Sequence, residues 1–258
     1  MNLEGVNSLS AIKKEIKEAY DTIAYDYERV RKKPWHVLQG FFNETSLLEK
    51  RGCNLLDVGC GNGRHAYWLD EQGFHTYGID ISKNLIQIAT TKTENIARKP
   101  DFIVGDSAHL PFKNDAFEVV LLVALLHHLP SHNERYQTLA EASRVLKKGG
   151  NAIISVWRLW QKRFLKHILK EFLKRIIGKG QQEFGDIYRR WRTSDKRYEV
   201  YRFYHLFRCK EIKDLIKKTQ LKIVHLEKLG GKSGKENIFV YLEKLANEEK
   251  NAGKSKGI

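Results

Sequence analysis

Cysteine is scarce in this chain: Cys53, Cys60 and Cys209 are the three among 258 residues. They form neither a disulfide framework nor a close-spaced zinc motif, so a reducing compartment, the cytoplasm, is expected. Long apolar runs are also missing. The longest, Val119 to Leu126, has eight residues, too few to cross a bilayer, and no membrane partner is expected. Met1-Asn2-Leu3-Glu4-Gly5 is not a basic region leading into an apolar stretch, so no secretory leader is read there. No internal repeat is visible. With 41% hydrophobic and 30% charged residues, the chain has the balance of one large globular domain, or one domain carrying an insertion.

What the chain has in excess is positive charge. A net charge of +15 suggests a polyanionic partner, although solubility alone explains part of it. Its location says more. Fourteen Lys/Arg against five Asp/Glu fall within residues 158–202, so nine of the fifteen net charges sit in about a sixth of the chain.

Ahead of that segment, apolar runs alternate with amphipathic stretches. Strands are expected at 54–58, 74–79, 102–104, 117–123 and 151–157, and helices at 63–72, 82–97 and 133–146. This alternation is the signature of a parallel sheet with crossover helices. Two helices are expected before it, at 9–27 and 35–48, split by a polar break at 29–34. A last helix–strand–strand unit is expected at 210–218, 221–227 and 237–242. The expected division is 1–50 as N-terminal helices and lid, 51–157 as the α/β core, 158–202 as a basic insertion, 203–246 as the C-terminal helix and final strands of the same domain, and 247–258 as a disordered tail.

The first strand, Leu55-Leu56-Asp57-Val58, runs into Gly59-Cys60-Gly61-Asn62-Gly63 and then a helix. Glycine lets the backbone turn sharply and a ligand approach closely. Arg64 occupies the place where a dinucleotide fingerprint needs a small residue. Asp80 ends the second strand, seventeen residues after Gly63, and Asp106 follows the third in Val104-Gly105-Asp106-Ser107. An acid, three glycines and two further acids, one after each of three successive strands, resemble the motifs of class I S-adenosylmethionine-dependent methyltransferases. The resemblance implies a Rossmann-like α/β fold with a seven-stranded sheet and flanking helices, in the order 3-2-1-4-5-7-6 with the seventh strand antiparallel. It implies S-adenosylmethionine held by Tyr20, Asp57, Gly59, Gly61, Asp80, Ile81, Asp106, Ser107 and Val123, with Asp80 on the ribose hydroxyls, Asp106 on the adenine amino group and Ile81 packed on the ring. Tyr20 and Tyr27 would close a lid. Blander readings also stand: a tight strand–helix turn for the glycines, a helix N-cap for Asp80, and a structural acid for Asp57.

The methyl acceptor is narrowed first by exclusion. The Asn/Asp-Pro-Pro-aromatic motif of exocyclic base-amine methylation is absent after the fourth strand, where the chain reads Val123-Ala124-Leu125-Leu126-His127-His128-Leu129-Pro130. No cysteine is placed as a nucleophile for ring-carbon methylation. Arg31-Lys32-Lys33-Pro34-Trp35, the His127-His128-Leu129 step, Val156-Trp157 and Arg202-Phe203-Tyr204-His205-Leu206-Phe207 then resemble the tRNA wobble-uridine carboxymethyl methyltransferases, over most of the chain outside the basic segment. That resemblance implies methyl-ester formation on a carboxymethyl group of tRNA, and puts Arg31, His128, Arg202, Tyr204 and His205 at the substrate end of the pocket. It also implies a small zinc-binding activator subunit paired with the exposed third strand; no metal is expected on this chain, whose His127, His128 and His132 lack companions at chelating spacing. Trp35 is read as a core anchor that can also stack, and His127 as an uncharged, packed histidine. For Arg31 and His205, surface pairing is the alternative.

Within the basic segment, apolar residues from Trp160 to Ile177 form a helical stripe whose ordinary fate is packing on the core. Tyr188-Arg189-Arg190-Trp191-Arg192 interleaves cations with rings, a mix suited to phosphates and exposed bases, so the insertion is expected beside the pocket mouth. Two rival functions remain at this stage. One is a small-molecule methyltransferase, for example of quinone precursors; the other is a non-catalytic RNA-binding module.

Overall fold

The computed structural model describes residues 9–92, 99–176 and 183–246. Seven helices are named here in chain order: α1 (Leu9–Val30), α2 (His36–Glu44), α3 (Arg64–Glu71), α4 (Lys83–Thr91), α5 (His132–Val145), α6 (Leu165–Ile176) and α7 (Cys209–Ile216). The strands are β1 (Asn54–Val58), β2 (His75–Asp80), β3 (Asp101–Val104), β4 (Phe117–Val123), β5 (Leu146–Trp157), β6 (Asp186–Arg192), β7 (Glu199–His205), β8 (Leu221–Leu229) and β9 (Asn237–Lys244). The far end of the helix expected at 82–97 and the tail from Asn247 lie outside the described residues.

Seven strands form one sheet in the order β3-β2-β1-β4-β5-β9-β8. β3, β2, β1, β4 and β5 run parallel, while β9 pairs antiparallel with both β5 and β8. With β8 and β9 as the sixth and seventh strands of the sheet, this is the expected order. Both faces are covered. Successive strand residues point to opposite sides, so Leu55, Val119, Leu121 and Ile153 pack on Leu38, Phe41 and Phe42 of α2 and Leu69 of α3. Leu56, Val120, Leu122 and Ile154 pack on Leu139 and Ala142 of α5 and Ile212 and Leu215 of α7. Burial on both sides is why the central strands read as unbroken apolar runs.

The basic segment holds one element that was not expected. β6 and β7 form a separate antiparallel hairpin, and the expected boundary at residue 202 falls inside β7. The alternation in 186–192 and 199–205 was its signal, masked by the density of charge. The helical stripe also divides. Phe164 and Ile168 are buried with Leu159, Ile187, Tyr204 and Leu206. Leu165, Leu169 and Leu173, one face further round, are 48%, 59% and 53% exposed. The stripe is wider than the core it meets: among its described side chains Phe164 and Ile168 pack as expected, while Trp160, Leu165, Leu169 and Leu173 do not.

Candidate active site

A parallel sheet leaves a crevice at the carboxyl ends of its strands where the order reverses, here between β1 and β4. A cavity of about 370 Å³ opens there. Gly59 and Gly61 follow β1, Asp80 ends β2, Gly105 to Ser107 follow β3, Val123 to Leu125 close β4, and Trp157 closes β5; all line it. α1 crosses above with Lys13, Ile16, Tyr20 and Tyr27 in the lining.

The floor is shaped for a close-lying ligand. Gly59 and Gly61 have φ of 74° and 56°, a region that glycine enters without strain. A Cβ on Gly59 would meet Leu125 Cδ1 at 2.8 Å, whereas one on Gly61 would have only the Tyr27 ring within reach, at 3.8 Å, and would stand in the cavity. The Gly61 N–H donates to Asp80 Oδ2 and the Ser82 N–H to Oδ1, both at 2.9 Å. The loop is thus tied to the acid, which keeps lone pairs for a diol. Ser82, not Asp80, caps α4, accepting from Leu85 N–H. Ile81 and Ser107 line the wall, and Ser107 Oγ bonds Thr138 Oγ1 at 3.0 Å. Asp106 takes the Lys13 ammonium at 2.5 Å on one oxygen and the Ala108 N–H at 3.0 Å on the other. Burial raises its pKa, but these donors outweigh burial and hold it below the ordinary carboxylate value. A bare glycine floor, a diol acceptor at Asp80 and an acid beside apolar Ile81 fit S-adenosylmethionine.

Asp57 is not on this surface. It is 1% exposed and its Oδ2 has no partner among the described residues. Burial, with help from the Asp80 charge, lifts its pKa to about 7. Its place is under the loop, the structural role. Cys60 does reach the lining, but burial pushes its thiol up, so it stays protonated and is a poor nucleophile.

At the other end of the cavity, Arg202, Tyr204, His128, Trp157 and Trp191 converge. The Arg202 guanidinium carbon lies 4.5 Å from the Trp191 ring centre, 5.3 Å from Tyr204 and 5.7 Å from Tyr20. Tyr204 stacks on Trp157 at 4.4 Å and 11°. Arg202 Nη1 donates to Tyr20 Oη at 3.3 Å, while its buried Nε has no partner among the described residues. His128 Nδ1 faces the Phe203 carbonyl at 3.1 Å and Nε2 faces Tyr20 Oη at 2.9 Å. A carbonyl only accepts, so Nδ1 carries the proton and Nε2 accepts from the tyrosine. Burial, then the Arg202 charge, lowers the His128 pKa to about 3, so the ring is neutral. His127 is 1% exposed, accepts from Trp157 N–H, and is held neutral chiefly by burial, as expected.

Arg31 is exposed at the mouth, where its backbone carbonyl accepts from Asn62 Nδ2. Trp35 serves both readings, lining the cavity and packing on Phe239 at 5.2 Å. His205 is a correction: it is 1% exposed and outside the lining. Its Nδ1 meets Asp186 at 2.6 Å and its Nε2 meets Glu211 at 2.7 Å. In β7 the side chain after Tyr204 must point to the opposite face. Both of its nitrogens are committed there. Glu183, His205 and Glu211 are the grouping of metal-ligand atoms found among the described residues. The buried Arg135 guanidinium already pairs with Glu183. Sequence reasoning missed Lys13, Arg163 and Glu236, which also line the cavity, and named Trp191 only as part of the segment expected beside the mouth. Lys13 lies two helical turns before Tyr20 on one face of α1, so its spacing was a usable signal; Trp191 needed the hairpin.

Residues 56–154 match the methyltransferase domain family. A tRNA (carboxymethyluridine(34)-5-O)-methyltransferase of Schizosaccharomyces pombe is 29% identical over 78% of this chain and 86% of its own length. One of Arabidopsis thaliana is 32% identical over 60% of this chain but 36% of its own length, so the chain spans only part of some relatives. Among solved structures, an S-adenosylmethionine-dependent methyltransferase of Methanosarcina mazei aligns with a TM-score of 0.64 at 23% identity, over 83% of this chain and 99% of that one. A methyltransferase in complex with the Haloferax volcanii Trm112 methyltransferase activator aligns with a TM-score of 0.62 at 16% identity, over 90% and 98%. The glycine floor, the acids after β2 and β3, the strand order and these likenesses give the chain a methyltransferase domain on the class I fold, and it resembles the tRNA carboxymethyluridine methyltransferases.

Proposed function

We propose that the enzyme forms the methyl ester of a carboxymethyl group on the wobble uridine of tRNA. The observation that carries this reading is Arg202, a cation held on three aromatic rings at the end of the cavity, with an unpartnered buried Nε and no ion pair among the described residues. Such a group is a seat for an anion that arrives with the substrate. The surroundings fit an acceptor that needs no deprotonation. His128 is neutral and its Nε2 is occupied, and burial raises the Tyr20 pKa, so neither is a poised base. A carboxylate is already ionised at neutral pH.

S-adenosylmethionine, when bound, supplies a methyl group on a sulfonium. Gly59, Gly61, Asp80, Ile81, Asp106, Ser107 and Val123 form its side of the cavity, with Tyr20 between the two ends. The stacked rings of Trp157 and Tyr204, with Trp191 against the Arg202 guanidinium, would exclude water from a bound substrate, which favours a step that brings opposite charges together and cancels them. Arg202 orients the carboxylate, while Arg163, on the Trp157 ring, is already paired with Glu236 at 3.2 Å. Arg31, at the mouth, is placed for a phosphate.

tRNA is therefore the proposed substrate, supported by the names of the relatives. The edge strand β3, with Val104 50% exposed, is the proposed docking site of a zinc-binding activator, in line with the complexed neighbour. The cytoplasm is the proposed compartment: the three cysteines are unpaired, and no helix among the described residues is long and apolar enough to cross a membrane. Full-length protein, with and without candidate activator, given labelled S-adenosylmethionine and tRNA bearing carboxymethyluridine, should produce a base-labile methyl ester at that nucleoside. Label confined to small lipophilic molecules would replace this reading with the first rival, and tRNA binding without label would replace it with the second.

A further inference from the structure

The hairpin that carries Arg202 has a second face. Side chains alternate along a strand, so Trp191, Arg202 and Tyr204 line the cavity while their neighbours Arg190, Arg192 and Tyr201 turn outward. Arg190 is directly opposite Tyr201 in the pairing, and Arg192 opposite Glu199. Tyr201 is 59% exposed, and Tyr198 in the connecting turn is 55% exposed. Exposed rings of this size on an otherwise polar surface are not explained by the core. The hairpin is nevertheless held firmly: Trp191 Nε1 and Ser194 N–H both donate to Asp26 of α1, at 2.8 and 2.9 Å. Arg190 approaches Glu199 at 3.6 Å and Arg197 approaches Asp195 at 3.4 Å. Arg192 and Lys196 add further exposed cations.

We propose that this outer face, through Arg190, Arg192, Tyr198 and Tyr201, binds the single-stranded RNA flanking the nucleotide in the cavity, bases stacking on the tyrosines and phosphates meeting the arginines. The inference rests on the tRNA reading above, because a chain leaving the cavity past Trp191 and Arg202 must cross the hairpin that bears them. Rings interleaved with cations suit unstacked bases in a loop, since every base has a π-face. A duplex offers no free base to stack, so the surface selects a loop over a stem. Arg31 lines the mouth, and its chain neighbours Lys32 and Lys33 are exposed.

The test is binding of a fluorescent anticodon stem-loop RNA to full-length protein, read by anisotropy across a salt series, alongside binding of S-adenosylmethionine. The double variant Tyr198→Ala/Tyr201→Ala should bind the loop about 10-fold or more weakly, with cofactor affinity unchanged. Tyr198→Phe/Tyr201→Phe should bind as wild type, because stacking needs the ring and not the hydroxyl. Arg190→Gln/Arg192→Gln should lower the slope of log affinity against log salt by about one unit for each phosphate no longer neutralised. Wild-type affinity in the alanine variant overturns the inference, as does an equal drop in the phenylalanine variant. Parallel assay of ester formation separates the two ideas. An active enzyme whose turnover and loop binding ignore the tyrosines leaves the methylation reading standing and removes this one. Tyrosine-dependent loop binding without any ester removes the methylation reading alone.

Discussion

Arg202 and Asp57 show how one group's surroundings set its task. The Arg202 guanidinium, on aromatic faces, keeps its charge but has no carboxylate partner among the described residues, which makes it available to a ligand. Arg202→Met keeps the volume and removes the charge; kcat/KM for the carboxymethyl substrate should fall about 100-fold or more, with S-adenosylmethionine affinity nearly unchanged in calorimetry. Arg202→Lys should not restore it, because an ammonium cannot present two parallel donors. Asp57 is the opposite case, a buried acid with an unpartnered oxygen. Its folded pKa of about 7 lies above the ordinary 3.8, so charging it costs the native state stability as pH rises from about 4 through 7. Asp57→Asn should therefore raise stability at pH 8, by on the order of 2–4 kcal/mol, and change little at pH 4, as measured by urea denaturation. Equal effects at both values would show that charge is not the cause.

Among the elements, the hairpin is decisive because it supplies the Arg202 end of the cavity, the proposed acceptor side, from outside the main sheet. Its base is fixed by His205, between Asp186 of β6 and Glu211 of α7. Burial pulls this imidazole's pKa down, but the two carboxylates outweigh burial and raise it above the ordinary 6.5. The neighbouring Arg135, whose buried guanidinium pairs with Glu183, opposes that rise. A raised histidine stabilises fully below its unfolded value and loses that contribution as pH climbs through the folded one. Amide exchange of β6 and β7, corrected for intrinsic rates, should accelerate relative to the central sheet as pH rises above 6.5. His205→Gln should be less protected at pH 6 and lose the pH dependence. A flat profile in the wild type would remove the imidazolium from this role.

At the scale of the whole molecule, charge decides how the partner is met. The +15 charge is concentrated where the hairpin and α6 stand, so association with tRNA should be steered and strongly salt-dependent. Raising salt from about 50 to 200 mM should weaken tRNA binding by at least 10-fold while leaving S-adenosylmethionine affinity within about two-fold; equal sensitivity of the two would argue against a polyanion site.

The sheet, the glycine turn and the acids of the cofactor side were legible in the sequence because each depends on neighbours along the chain. Period-two and period-3.6 patterns mark strands and helices, and an acid at the end of a strand is at the mouth of a parallel sheet wherever that strand falls in the order. Asp80 and Asp106 were readable on those terms; Tyr20 and Ile81 came only from the family resemblance. The Arg202 end was not, because it is assembled from α1, β5 and a hairpin whose residues lie up to 182 apart, as in the bond between Tyr20 and Arg202. Whether Tyr204 or His205 faces the cavity turns on strand register, a single-residue difference that composition cannot express. Burial, which neutralises His128 and lifts Asp57, exists only once the chain has packed around them.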